Sequence, residues 1–215
     1  MKMRDIIVLA LLALSFVACD EHRDFPDTSM KTCDILCTDG QIVRFDDMVS
    51  GGKEPIAVVF HINQSADMEG TAYAVYLWDI MPEAYSDSIG IKQNTSANVT
   101  AFDGNSNTYA MYGSGFSPAA EAVFDMWRYG QSAYIPSIAQ LRLLFAAKCT
   151  INSFIKRCGG DVLPDEPDEC WYWSSTEVEG QESDKAWLFS LASGALQETP
   201  KGQTHKIRPI ITLYN

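Results

Sequence analysis

Histidine is scarce in this chain: 215 residues hold three, His22, His61 and His205. No H-E-x-x-H segment is present, which removes the two-histidine zinc hydrolases. A nucleophile elbow is missing as well, because Gly113-Ser114-Gly115 sets a serine between glycines without the G-x-S-x-G spacing. His61 in an apolar run reads as a strand histidine and His205 as a turn residue, and nothing local supports a Ser-His-acid or Cys-His arrangement. Positive charge is short too. Sixteen Lys and Arg against 28 Asp and Glu give a net charge of −12, with no basic cluster to neutralise several phosphates, which argues against nucleic acid as a partner. Apolar runs are brief: the longest, residues 6–18, is too short for a helix across a hydrocarbon core of about 30 Å. No internal repeat is present. The chain reads as non-catalytic, with no cofactor required.

What is there begins with the N-terminus. Lys2 and Arg4 precede the apolar run, which ends in Phe16-Val17-Ala18-Cys19. Residues 1–18 therefore read as a cleaved signal peptide. A small residue before cysteine resembles the bacterial lipobox, which implies cutting before Cys19 and a diacylglycerol on its thiol. Removing 18 of 215 residues leaves 197, enough for one domain with a real core. Residues 19–32 open on Asp20-Glu21-His22-Arg23-Asp24 and read as a polar tether. Acids directly after the cysteine resemble the surface-export signal of Bacteroides lipoproteins, implying attachment to the outer membrane, facing outward.

Cysteine use fits an oxidising compartment. With Cys19 lipidated, five remain, and an odd number leaves at least one thiol without an intrachain partner. A local Cys33–Cys37 disulfide is one expectation. Cys158 or Cys149 could pair with Cys170, and the connectivity stays open. Cys33-x3-Cys37 has near-zinc spacing, but His22 and His61 complete no recognised pattern of four ligands.

Residues 33–55 form an N-terminal extension to which the pattern assigns no structure, and 56–215 read as the main domain. Residues 56–62, rich in β-branched side chains after a Gly-Gly turn, form a strand, and the apolar run 72–81 a second. Ser, Asn, Asp, Gly and Thr dominate 82–115, which reads as a long surface loop of the kind kept for a purpose. Ser117-Pro118 starts a helix running to about Trp127. Ser137 and Gln140 form a capping box, with Ile138, Leu141, Leu144 and Phe145 on one face. Thr150 starts a further short helix that Gly159-Gly160 stops. Residues 161–169 form an acidic loop. Strands return at Trp171-Tyr172-Trp173, at 186–191 with Trp187, Phe189 and Leu191 on one side, at 195–199 after a Ser193-Gly194 turn, and at 207–213, where Pro209 marks a strand start or edge.

Ala133-Tyr134-Ile135-Pro136-Ser137-Ile138-Ala139-Gln140-Leu141 resembles a W-x-L-P-S-x-x-E-L segment, and Trp171-Tyr172-Trp173-Ser174-Ser175-Thr176-Glu177 a Y-W-S-S-T-E block. Ala186-Trp187 with Ser193-Gly194 matches an A-W…G hairpin, and Lys206-Ile207-Arg208-Pro209-Ile210 an x-V-R-P-V closure. Residues 102–108 and 117–121 add two more blocks. In this order the blocks resemble the Lcl C-terminal (DUF1566) family and its Bacteroides surface relatives. Tyr134, Gln140 and the three late cysteines depart from its pattern. The resemblance implies an α+β, C-type-lectin-like fold related to a variant of the formylglycine-generating enzyme, with two main helices packed on small antiparallel sheets and long loops. Oxidase chemistry does not carry over, since no counterpart of the copper-binding cysteine pair can be placed.

Pro136, Ser137, Trp171, Trp173, Ser174, Ser175, Thr176, Trp187, Gly194, Arg208 and Pro209 make sense as architecture: indoles fill a core, short hydroxyls fix turns, and Arg208 forks onto Glu177 or Asp103. Candidate binding loops are 96–117, with Asp103, Asn105, Asn107, Tyr109 and Tyr112, and 159–171, with Asp165 and Asp168. Asp103, Asn105 and Asn107 are oxygen-rich enough to suggest calcium, without the EF-hand order. The expected function is a surface recognition or adhesion lipoprotein taking a glycan or protein ligand. A structural or accessory subunit of an envelope or fimbrial assembly is the alternative, and an extracellular enzyme a remote third.

Overall fold

The computed structural model describes residues 28–127, 132–167 and 170–214. The signal peptide, Cys19, most of the tether and Asp168 lie outside them.

Two five-stranded sheets organise the described residues. Strand β1 (Ile35–Cys37) pairs with β2 (Ile42–Val43), a short helix α1 (Phe45–Ser50) follows, and β3 (Pro55–Ile62) returns beside β1. With β4 (Ala72–Tyr76) these build the first sheet, antiparallel throughout. Residues 33–55 are thus part of it: Cys33 N donates to Val59 O and Val59 N to Asp34 O. Both faces of β3 and β4 are buried, which explains why they read as near-continuous apolar runs.

The 72–81 run is broken where a single strand was expected. After Tyr76 the chain leaves the first sheet through Leu77, Trp78 and Asp79 and enters the second as β5 (Ile80–Ala84). Residues 82–115 are not one loop either, because they contain helix α2 (Gly104–Ser114). Helix α3 (Pro118–Trp127) follows, with Ser117 Oγ accepting from Ala120 N. Helix α4 (Ile138–Arg157) is one unbroken helix where two were expected: Thr150 continues it, and Gly159, at φ +77°, ends it. Its apolar face extends the expected stripe through Ile151 and Ile155.

The C-terminal strands β6 (Trp171–Glu177), β7 (Lys185–Ser190), β8 (Leu196–Pro200) and β9 (Thr204–Ile207) join β5 in the order β5-β9-β6-β7-β8, and β10 (Ile210–Leu213) crosses back beside β4. The second sheet is mixed rather than antiparallel, since β6 and β9 run parallel with Tyr172 opposite Lys206. His205 sits on β9, not in a turn, its ring edge-on to Trp173 at 5.1 Å.

Two apolar clusters hold this together. One joins Val58, Phe60, Tyr73 and Val75 to α4 and to Tyr172 and Phe189, while the other joins Ala57, Val59 and Ala74 to Met111, Val123, Trp173 and Leu188. Each fully buried Leu, Val or Ile among them contributes about 1.5–3 kcal/mol. Both crossovers between sheets meet at Arg208. Its side chain, fully buried, pairs with Asp79 at 2.8 Å and donates to Leu77 O and Asp161 O. The expected partners Glu177 and Asp103 are both engaged elsewhere. Glu177 is in a buried ion pair with Lys201 and accepts from Gln93 N, while Asp103 accepts from Asn107.

Candidate functional site

Two of the motif blocks meet at the start of α4. Ser137 and Gln140 form the capping box, and Ser137 Oγ also donates to Ala101 O at 2.7 Å. Thr176 Oγ1 accepts from Ile138 N at 3.2 Å, and Ser175 N donates to Pro136 O at 2.9 Å, so the two blocks distant in sequence satisfy one helix end. Trp173 is fully buried with its indole N–H on Glu83 O. Ser174 Oγ bridges to Trp187 O. Trp171 is half-buried against the second cluster. Gly194, at φ +75°, turns the β7–β8 hairpin directly over Phe145. Pro209 lies immediately before β10, its carbonyl accepting from Tyr76 N.

The two loop groups expected to bind a ligand are not brought together. Asn105, Asn107, Tyr109 and Tyr112 lie on α2 rather than in a loop, and Asp103 directly precedes it. Their oxygens serve the fold: Asn107 Oδ1 accepts from Ser96 N, Asp103 Oδ1 from Asn107 Nδ2, and Asn105 Nδ2 donates to Glu69. Burial raises the Asp103 carboxyl above its usual value, which disfavours the charged form a cation would need. Tyr109 and Tyr112 are exposed beside Phe124, with Tyr112 stacked on it at 3.9 Å. Asp165, also exposed, pairs with the buried Lys148, whose Nζ also donates to Pro164 O and Leu191 O. Among the described residues no three His, Cys, Asp or Glu gather as a metal ion would require.

The five described cysteines are free thiols, contrary to the expected disulfides. Cys33 sits in the turn before β1, at φ +75°, while Cys37 ends β1 opposite Pro55, and the two thiols are not joined. The Cys170 thiol contacts Ser190 Oγ and Pro167 O near Leu191, while Cys158 caps the far end of α4. Burial raises the Cys33, Cys37 and Cys158 thiols, the last to about 11, so none is a ready thiolate.

A groove of about 600 Å³ opens elsewhere, at the end of the second sheet. Its floor is Trp187 on β7 with Glu198, the cross-strand partner on β8. One wall is Val178, Glu179 and Glu182, from the turn after β6; the other is Ala97, Asn98 and Val99. Both walls are fixed. Arg142 Nη1 holds Val99 O at 3.0 Å, Asn98 Oδ1 accepts from Thr100, and Glu182 Oε1 accepts from Gly180 N. Glu182 pairs with Lys92 and Glu198 with Lys185. The Gly180 amide, with Lys92, holds the Glu182 carboxyl down at about 2, and Lys185 lowers that of Glu198.

Trp187 was expected to face the core with Phe189 and Leu191. It shares their cluster yet remains half-buried, because the groove lies over it. The candidate loop 96–117 takes in Ala97, Asn98 and Val99, but the sequence reading missed Glu179, Glu182 and Glu198. Only the hairpin offered a signal, since a turn at Ser193-Gly194 sets β8 against β7 and so an acid beside the indole.

No family model matches the chain, and no curated protein does. Among solved structures, the fold is similar to that of a fimbrial protein from Bacteroides ovatus ATCC 8483, with a TM-score of 0.63 and 13% identity. That match covers 86% of this chain and 49% of the other, so the chain spans about half the length of the structure it matches. The shared feature is the fold, a mixed α+β arrangement of two sheets. No described helix is long and apolar enough to cross a membrane.

Proposed function

We propose that the chain is a non-catalytic subunit of a fimbria-like surface assembly, held at the outer membrane through lipid on Cys19. The observation that carries this reading is the fold similarity to a fimbrial protein over 86% of the chain. The lipobox-like Ala18-Cys19 and the acidic residues behind it support an anchored, outward-facing subunit. The motif blocks around Pro136, Trp173 and Arg208 fit a C-type-lectin-like, Lcl C-terminal-like scaffold whose motif residues serve architecture. Recognition of a glycan or protein ligand is the second reading, favoured by the fixed, aromatic-floored groove at Trp187.

Expression of the tagged full chain in a Bacteroides host tests the proposal. Labelled fatty acid should enter the wild-type chain and not Cys19→Ala, and the wild-type chain should co-purify with other subunits in sheared surface filaments. An unlabelled chain, or a labelled one recovered alone from the envelope, would overturn it.

A further inference from the structure

We infer that the groove over Trp187 is a binding site for an uncharged oligosaccharide. Three properties of the groove select this ligand class. First, the indole of Trp187 is half-buried, packed on one side against the core and left accessible in the groove, which provides a flat apolar platform for the C–H face of a sugar ring. Second, the groove offers donors and acceptors together. The Trp187 indole N–H and the Asn98 amide nitrogen make no hydrogen bond among the described residues, and Glu179 has no cation paired to it. A polyol supplies hydroxyls that both accept and donate, and so satisfies all three. Third, most of the charge is already answered: Lys92 and Lys185 pair with Glu182 and Glu198, which leaves Glu179 as the one lining carboxylate without a cation among the described residues. A purely apolar ligand would strip water from the carboxylates without replacing it.

Size and rigidity agree. The volume falls within the roughly 300–1,000 Å³ usual for small-ligand clefts. Walls fixed by Arg142, by the Gly180 turn and by the two ion pairs lose little freedom when a ligand enters. This inference stands apart from the assembly reading: a subunit can be built into a filament with or without a sugar site.

The experiment is titration calorimetry of the detergent-solubilised full chain with neutral hexasaccharides of mannose, glucose and xylose, and with acetylated tri-arginine amide. At least one hexasaccharide should bind with saturable heat. Trp187→Ala should weaken it about tenfold or more, and Trp187→Phe, which keeps a platform but removes the N–H, by about three- to tenfold. Asn98→Ala, on the opposite wall and away from the core, should weaken it by a similar few-fold, with a small drop in melting temperature from the lost hydrogen bonds between Thr100 and Asn98 Oδ1. Trp78→Ala, at an exposed position outside the groove, should bind like wild type. Binding of none of the hexasaccharides, binding of the peptide in their place, or sugar affinity indifferent to both Trp187→Phe and Asn98→Ala would overturn the inference, whatever becomes of filament incorporation.

Discussion

Trp173 and Trp187 belong to neighbouring strands of one sheet and to the same set of motif blocks, yet they meet opposite fates. Trp173 points into the second apolar cluster, fully buried, its N–H satisfied by Glu83 O and its ring packed edge-on against Tyr85 and His205. Trp187 points the other way, packing against the first cluster with Phe189, which Phe145 of α4 covers, while Trp187 itself stays half-buried and lines the groove. One indole closes a core; the other is an accessible platform with an idle donor. The lesson is that a recurring aromatic in a motif carries no single meaning, because a strand offers two faces and what covers each is decided elsewhere in the chain.

The largest expected effect sharpens that contrast. Trp173→Ala should cost about 3–5 kcal/mol in urea unfolding, leaving a large cavity and an unpaired Glu83 carbonyl, whereas Trp187→Ala should cost about 1 kcal/mol. Equal losses would erase the distinction. Next in size, Arg208→Met should cost about 3 kcal/mol, since it leaves Asp79 only the Tyr172 hydroxyl and Lys206 at 3.8 Å and frees two carbonyls where the crossovers meet. Should Arg208→Met melt with wild type, the crossovers are held by packing alone. Thr108→Val should cost about 1–2 kcal/mol, because it removes the hydroxyl that accepts from Ile135 N and donates to Gly104 O. A neutral result there would mean that α2 is held by its apolar contacts instead.

The smallest effect is on pH dependence and concerns the Trp173 side of the comparison. Burial lowers His205 and His61 below the ordinary 6.5. In the window just below pH 6.5 the unfolded chain takes up protons that the folded chain refuses. Their contribution is therefore intact above 6.5 and is lost as pH falls through the lowered folded values. The melting temperature should drop between pH 7 and 5, and His205→Gln should flatten that drop. An unchanged slope in the variant would exclude His205 as a contributor.

Much of the scaffold was legible. The capping box at Ser137 and Gln140, the Ser117-Pro118 helix start, the Gly159 stop and the hairpin at Gly194 are local chemistry, and local chemistry is written in adjacent residues. Helix α2 was not legible for a physical reason. Its buried face is Gly104, Asn107, Thr108 and Met111, small and polar, and it is held by hydrogen bonds to Ile135 and Ser96 rather than by an apolar stripe. Gly104 is there because Gln140 and the 135–137 backbone leave no room for a Cβ. The break at Leu77–Asp79 was hidden likewise, since an apolar run looks the same whether it stays in one sheet or passes to the next. The groove was the least visible: its walls come from residues near 98, 180 and 198, and no periodicity links them.

The amino-acid order by itself determined the helix starts at Ser117 and Ser137, the stop at Gly159, the strand runs buried on both faces, the tight turns and the acidic surface, because each depends on backbone preference or on the polarity of near neighbours. Tertiary structure alone decided that Arg208 answers Asp79, that an Asn- and Ser-rich stretch is a helix, and that Trp187 is left uncovered. Those outcomes rest on which distant segments exclude water from a given side chain, and that is settled only when the sheets and helices close on one another.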